Sequence, residues 1–290
     1  VMKMKKKLSG YLISKYSYPG KVYAFNRLLE QAKELNIDLQ EIGVADCTII
    51  NGKVYFKGEL LPERDFAIVR YYIPAFTEAL CKLVKRQYND TQIIAKFRNK
   101  YNQITSIQSE HFKQPKSILG SASTDFEFLE SKLGLPFIAK GLESYGGQQI
   151  FLIRNVFDYD SLKFHYSDAK EFLYQKFIAE SRGEDIRLFV IKGETVAAMR
   201  RTSDGDFRSN HSLGGKSARY EITDELKAIG KDIYDQTGID FVGVELLEGK
   251  DGLYFCEVNT VPGFESLDYT NELNLARVML EVIAKDFKEQ

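Results

Sequence analysis

Tryptophan is absent from the 290 residues, and histidine and cysteine occur three times each. His111, His165 and His211 leave little material for a zinc centre or a Ser/His/Asp arrangement, so any chemistry falls to oxygen ligands, lysine and arginine. Cys47, Cys81 and Cys256 are an odd count at wide intervals, with neither metal-ligand spacing nor a disulfide framework, which fits a reducing cytoplasm. Charge of one sign is lacking too: 40 basic residues oppose 41 acidic ones. That balance disfavours a general nucleic-acid surface, although not a local basic patch. Long apolar runs are missing. Even "DFAIVRYYIPAF" is interrupted by charge well short of the roughly 20 residues of a membrane-spanning helix, so no span is expected. The stretch "VMKMKKKLSG" is basic but has no apolar core of a signal peptide, and reads as a frayed cationic end. Residues 1–112 lack the glycine spacing of a dinucleotide fingerprint, which gives a Rossmann dehydrogenase little support, and no internal repeat or low-complexity tract occurs.

What is present is 44% hydrophobic content, enough for one large domain or two to three modest ones. Residues 1–112 read as an open α/β sheet domain. It holds a strand "GYLIS", an amphipathic helix "VYAFNRLLEQAKELN", a hairpin "CTIINGKVYF" turning at Asn51-Gly52, a strand "DFAIVR", and a helix over "FTEALCKLVKRQY". The polar segment "SEHFKQPKS" marks a boundary. Residues 113–180 read as a small α+β unit: helix "DFEFLESKLG" ended by Gly134, strand "LPFIAK", a glycine-bearing turn, strand "QIFLIR", helix "DYDSLKFHY" and strand "FLYQKFI". Residues 181–290 hold a hairpin turning at Lys192-Gly193, a polar loop to about Tyr220, helix "TDELKAIGKDIYDQTG", a second hairpin and a last helix "NELNLARVMLEVIAKDF".

The second hairpin, "FVGVELL" and "LYFCEVN" joined by "EGKDG", places acids where a sheet should pack apolar groups. The expected register sets Leu247 opposite Leu253 and Glu245 opposite Phe255. Glu245, Glu257 and Asn259 then share one face, with the two acids on a diagonal. Carboxylate, carboxylate and amide oxygen are the hard ligands of Mg²⁺ or Mn²⁺, and an ion held by so few protein groups normally also takes substrate phosphates. The competing reading is an exposed face whose acids are solvated or paired with Arg200 and Arg201. Lys140 ends a strand, and the turn after it carries Ser144, Gly146 and Gly147, which suits either a phosphate-binding turn or a plain hairpin flap. Arg187, Arg200 and Arg208 are candidates to neutralise a transferring phosphoryl group, or are ordinary ion-pair partners. His211 reads as incidental, and Tyr71, Tyr72 and Phe76 as core.

The succession "LPFIAK…SYGG", "LYQKFIAESRGEDIRLFVIKGETVAAMRR", "DFRSN" and "GVELL…CEVNTVPGFE" resembles the ATP-grasp ligases, and is most similar to the RimK group of glutamate ligases that modify ribosomal protein tails. The similarity runs in order through residues 95–290, with a fainter trace in "VRYYIPAFTEAL". It implies an ATP-grasp fold, α/β and α+β, behind an N-terminal open α/β pre-ATP-grasp domain. The small subdomain would carry the lid, and residues 181–290 would bind metal. Lys100 and Lys140 would reach ATP phosphates under a lid at Ser144, Gly146 and Gly147. Lys176 and Phe177 would meet the adenine edge, and Asp185, Arg208, Ser209 and Asn210 would contact the nucleotide. Glu245, Glu257 and Asn259 would hold two Mg²⁺ or Mn²⁺ ions, and Arg208, Arg200 and Lys140 would serve catalysis. Three departures stand out: Lys176 replaces a usually acidic hinge residue, Glu245 replaces a frequent aspartate, and Gln148 and Gln149 fall where the lid is usually richer in glycine.

The implied activity is ATP-dependent ligation of a carboxylate to an amine through an acylphosphate. Glutamate or another amino acid would be joined to a protein, peptide or small-molecule carboxylate, in the cytoplasm and in a homo-oligomer. Two alternatives stay open: a dipeptide, amino-group-carrier or cofactor-glutamylating ligase of the same fold, and a nucleotide-binding partner module without catalysis.

Overall fold

Gly10 begins the architecture, because strand β1 (Ser9–Ser14) crosses Phe66 so closely that only a hydrogen fits there. A Cβ at Gly10 would stand 2.4 Å from the ring. A computed structural model of the chain describes residues 7–16, 22–143, 149–203, 205–208 and 215–289. The chain packs as two compact units: residues 1–95 with 239–242 and 260–290, and residues 96–238 with 243–259. Both expected boundaries, at 112 and 180, fall inside the second unit. We retain the three-way division only as a proposal about subdomains.

In the first unit β1 is followed by helix α1 (Tyr23–Glu34), strand β2 (Asp38–Gly43), the small sheet of β3 (Cys47–Ile50), β4 (Lys53–Phe56) and β5 (Glu59–Leu60), strand β6 (Arg64–Val69), helix α2 (Pro74–Cys81) and strand β7 (Val84–Tyr88). The main sheet has the order β2-β1-β6-β7 with every pairing parallel. α1 buries Ala24, Leu28 and Ala32, one face at helical spacing. The helix expected over 76–88 stops at Cys81. Val84–Tyr88 instead pairs with β6, Ile68 opposite Tyr88, because the parallel ladder and the burial of Tyr88 outweigh an apolar spacing that also suited a helix.

Helices α3 (Thr91–Phe97) and α4 (Lys100–Ser106) come next. The second unit then builds β8 (Ser117–Ser121), α5 (Phe126–Leu133), β9 (Phe137–Gly141), β10 (Ile150–Ile153), α6 (Val156–His165) and β11 (Glu171–Lys176). These strands form a sheet of order β10-β9-β11-β8, over which α5 and α6 bury Leu129, Leu133, Tyr159 and Leu162. A five-stranded sheet of order β14-β13-β12-β15-β16 follows. It consists of β12 (Glu184–Ile191), β13 (Glu194–Thr202), β14 (Lys216–Arg219), β15 (Phe241–Gly249) and β16 (Gly252–Asn259), with helix α7 (Asp224–Thr237) between β14 and β15 in sequence. The polar stretch read as loop up to Tyr220 therefore contains an edge strand, β14, whose charged residues suit a position exposed to water. Helices α8 (Glu265–Asn271) and α9 (Leu275–Asp286) return to the first unit, where α9 packs on α1. Among the described residues no helix is long and apolar enough to cross a membrane.

Candidate active site

The β15–β16 hairpin differs from the expected register in a way that concerns chemistry. Gly249 pairs with Gly252, so the turn is only Lys250-Asp251. The extra residue is absorbed by a bulge that leaves Cys256 without a partner between Leu246↔Phe255 and Glu245↔Glu257. Glu245 and Glu257 consequently face each other directly, not along a diagonal, and Asn259 lies two residues further on the same strand, opposite Gly243. Two opposed carboxylates on one sheet face repel unless cations stand beside them.

Those cations come from neighbouring strands and from α4. Glu245 Oε1 accepts from Arg187 Nη1 at 2.8 Å and lies 2.8 Å from Arg201 Nη2. Asp185 in turn accepts from Arg201 Nε at 2.8 Å and also from Arg201 Nη2, and both side chains are buried. Burial alone pushes the Glu245 carboxyl up, but Arg201 and Arg187 outweigh it and hold the group below the usual carboxylate range. Burial likewise depresses the Arg187 guanidinium below its ordinary value, with Glu245 opposing, whereas Glu245 and Asp185 overcome burial at Arg201 and raise it. Glu257 Oε2 lies 3.5 Å from Lys100 Nζ.

Helix α4 sets Lys100. The Asn99 side chain caps it by accepting from Tyr101 N and Asn102 N, Lys100 N donates to Leu142 O, and Gln103 clamps β16. Gln103 Oε1 accepts from Val258 N at 2.9 Å while its Nε2 donates to Val258 O at 3.1 Å. Lys140, on β9 and 8% exposed, makes no ion pair with any described residue.

A cleft of about 760 Å³, open solvent included, collects seven of the expected residues: Lys140, Lys176, Phe177, Asp185, Arg208, Glu245 and Glu257. Its remaining wall is largely apolar, from Ile138, Ile150, Ile178, Leu247 and Phe255, with Cys256 at the bulge. Apolar side chains beside acids and lysines suit a nucleobase against the first and phosphates against the second. Arg200 is not among the lining residues. It is ion-paired to Glu184 and Glu248 and lies over the Tyr220 ring. Arg208 lines the cleft and is paired with Asp206. Ser144, Gly146, Gly147, Ser209 and Asn210, with His211, lie outside the described residues. Tyr71, Tyr72 and Phe76 pack against the first unit's core.

Two residues of the site lie outside the set expected from sequence: Arg201, expected only as an ion-pair partner, and Gln103. A charge inside an otherwise apolar strand was the available signal for Arg201. Gln103 offered none, since its role depends on β16 passing beside α4.

The oxygen set fits a hard divalent ion. Both guanidinium contacts to Glu245 fall on Oε1, so Oε2 keeps its ligating capacity, and Glu257 and Asn259 add oxygens. Among the described residues no cluster of three or more His, Cys, Asp or Glu could hold a metal, so these donors would need phosphate oxygens to complete a shell.

The profile of a RimK-like ATP-grasp domain matches residues 97–283. A protein of Hydrogenovibrio crunogenus described as "Probable alpha-L-glutamate ligase" is 30% identical over 284 residues, covering 93% of this chain and 94% of that one. Among solved structures, the ATP-grasp ligase PsnB, complexed with a phosphomimetic variant of its minimal precursor, Mg and ADP, superposes with a TM-score of 0.73 at 15% identity. The match covers 96% of this chain and 98% of that one. A RimK domain ATP-grasp protein of Sphaerobacter thermophilus gives 0.72 at 16% identity, over 93% and 97% of the two chains.

Proposed function

The chain belongs to the RimK-like ATP-grasp family of ligases, and we propose that it joins an amino acid, glutamate or one like it, to the carboxylate of a protein, peptide or small molecule through an acylphosphate. The family binds ATP with magnesium. The observation that carries the reading is the convergence on one cleft of Lys140, of the opposed pair Glu245 and Glu257, and of apolar side chains beside them.

In this reading a substrate carboxylate oxygen attacks the γ-phosphorus of ATP, the bond to the β-phosphate oxygen breaks, and ADP leaves. The amine then attacks the acyl carbon, phosphate departs with the C–O bonding pair, and the amine nitrogen gives up a proton. Glu245, Glu257 and Asn259 would hold divalent metal, whose bound form supplies charge neutralisation at the phosphates. Two ions is our expectation for this site. Lys100 and Lys140 hold the triphosphate in line, and Ile138, Ile178 and Phe255 grip the base and exclude water. Arg187 and Arg201 fix the Glu245 carboxylate so that it need not reorganise during the reaction. No side-chain nucleophile is required. Asp185 is read as the anchor of Arg201 in addition to any contact with the nucleotide. The free state of Cys47, Cys81 and Cys256 supports a cytoplasmic location, and a homo-oligomer remains part of the proposal.

The test is phosphate release with ATP, Mg²⁺, glutamate and a panel of carboxylate acceptors, including peptides ending in glutamate, with the product identified by mass. Release must require both an acid and an amine. Glu257→Gln should lower kcat by about 10²-fold or more with an unchanged fold. A Glu257→Gln protein that still forms the amide at the parental rate would remove the metal assignment.

A further inference from the structure

Each carboxylate of this site is already matched by a cation belonging to the chain. Glu245 has Arg187 and Arg201, Asp185 has Arg201, and Glu257 has Lys100. Glu184, the other acid lining the cleft, has Arg200, and Lys140, Lys176 and Arg208 add three more basic groups to the same walls, so cations outnumber carboxylates around this site. Lys100 is not a stray surface lysine. It is 5% exposed and sits on a helix pinned to β16 through both backbone groups of Val258, the residue next to Glu257.

We propose that the Lys100 ammonium holds the metal's place at Glu257 until a nucleotide arrives, so that the divalent ion enters this site together with the nucleotide and not before it. This rests on the reading of the cleft as a metal–nucleotide site. A lone divalent ion approaching Glu257 must displace Lys100 and then lies among Arg187, Arg201 and Lys140, where burial leaves their repulsion poorly screened. A triphosphate reverses the balance. Its oxygens offer Lys100 another anion, and a flexible four-carbon stem lets Nζ change partners while α4 stays clamped. The Glu257 carboxylate is thereby released to the incoming metal at the moment phosphate oxygens can complete its shell. Lys100 so couples nucleotide binding to metal binding, and the chain does not collect metal idly.

The experiment is a Mn²⁺ titration of the full chain, following the free-ion signal by electron paramagnetic resonance, with and without ADP, each compared with the same titration lacking protein because ADP itself binds Mn²⁺. The parent protein should bind Mn²⁺ no tighter than about 1 mM alone and markedly tighter with ADP. Lys100→Met, which keeps the stem and removes the charge, should tighten nucleotide-free Mn²⁺ binding by about tenfold or more, and Lys100→Met/Glu257→Gln should lose that gain. Equal Mn²⁺ affinity of the parent with and without ADP overturns the inference without any variant having to fold. So does Mn²⁺ binding unchanged by Lys100→Met in a protein of native circular dichroism. If the parent binds no Mn²⁺ even with ADP, the metal reading itself falls, an outcome distinct from failure of the Lys100 role alone.

Discussion

Arg201 is gripped by Asp185 on one side and Glu245 on the other, all three buried, so that no member of the trio can be removed alone without stranding a charge. Breaking a buried ion pair from one side costs about 3–5 kcal/mol, far more than the pair contributes relative to apolar replacements. Asp185→Ala should therefore lower the unfolding free energy in urea by about that amount, while Arg154→Ala, whose pairing with Asp158 is at the surface, should change it by less than about 1 kcal/mol. The cysteines make a separate prediction. Burial pushes the Cys47 thiol up to about 11 and the Cys81 and Cys256 thiols up to about 12. At pH 8 the thiolate fraction of the buried Cys81 is then about 10⁻⁴, and iodoacetamide should label it only after unfolding, as read by peptide mass. The same shifts set an alkaline limit. The folded chain keeps protons that the unfolded chain loses, so stability is intact below about pH 9 and declines as pH rises toward about 12. Each thiol contributes about 1.4 kcal/mol per pH unit within that window. Cys81→Ala should make this decline shallower in denaturation curves measured between pH 9 and 11.

Helix α4 and strand β16 are joined by the Gln103 amide in addition to the Lys100–Glu257 ion pair. Gln103 satisfies both backbone groups of Val258 and also donates to Phe97 O at 2.6 Å, a set of bonds that alanine cannot replace. Gln103→Ala leaves buried polar groups unpaired at about 1–3 kcal/mol. Because it loosens the helix that carries Lys100, it should also weaken ADP binding in calorimetry, a change that a purely structural defect elsewhere would not produce. The central strand β1 tests packing at the same scale. Phe66 is fully buried, with its ring against Tyr88 and Phe287, so it cannot retreat from a methyl at position 10. Gly10→Ala should cost about 1–3 kcal/mol by overpacking, measured by chemical denaturation.

The first unit is built from three separate pieces of chain. Asn89 ties two of the returning pieces to the first: its Nδ2 donates to Phe241 O and Thr260 O, and its Oδ1 accepts from Phe241 N. Tyr88 donates to Asp286, and α9 covers α1 with Leu275, Met279, Leu280 and Ile283 buried. Deleting residues 260–290 strips that cover from the parallel sheet. Hydrogen exchange should then show lost protection in β1 and β6, while β9 and β11, whose partners all lie within the second unit, keep theirs. Retained protection in β1 would mean that the sheet needs no helix α9.

Local signals in the chain were sufficient for whatever depends on neighbours in sequence. The turns at Asn51-Gly52 and Lys192-Gly193, the stop at Gly134, and the alternation that sets Glu257 and Asn259 on one face of β16 all follow from backbone preference and period-two patterning. The family resemblance, too, was carried by residues in order. Tertiary structure alone decided that Val84–Tyr88 is a strand, that Lys216–Arg219 is an edge, and that a bulge at Cys256 sets the two acids face to face. It also decided which charge neutralises which: Arg187 and Arg201 for Glu245, Lys100 for Glu257. The physical reason is that hydrogen-bond and ion-pair partnership depends on separations of a few ångströms between residues far apart in sequence, 157 positions for Lys100 and Glu257. Only the folded sheet establishes those separations.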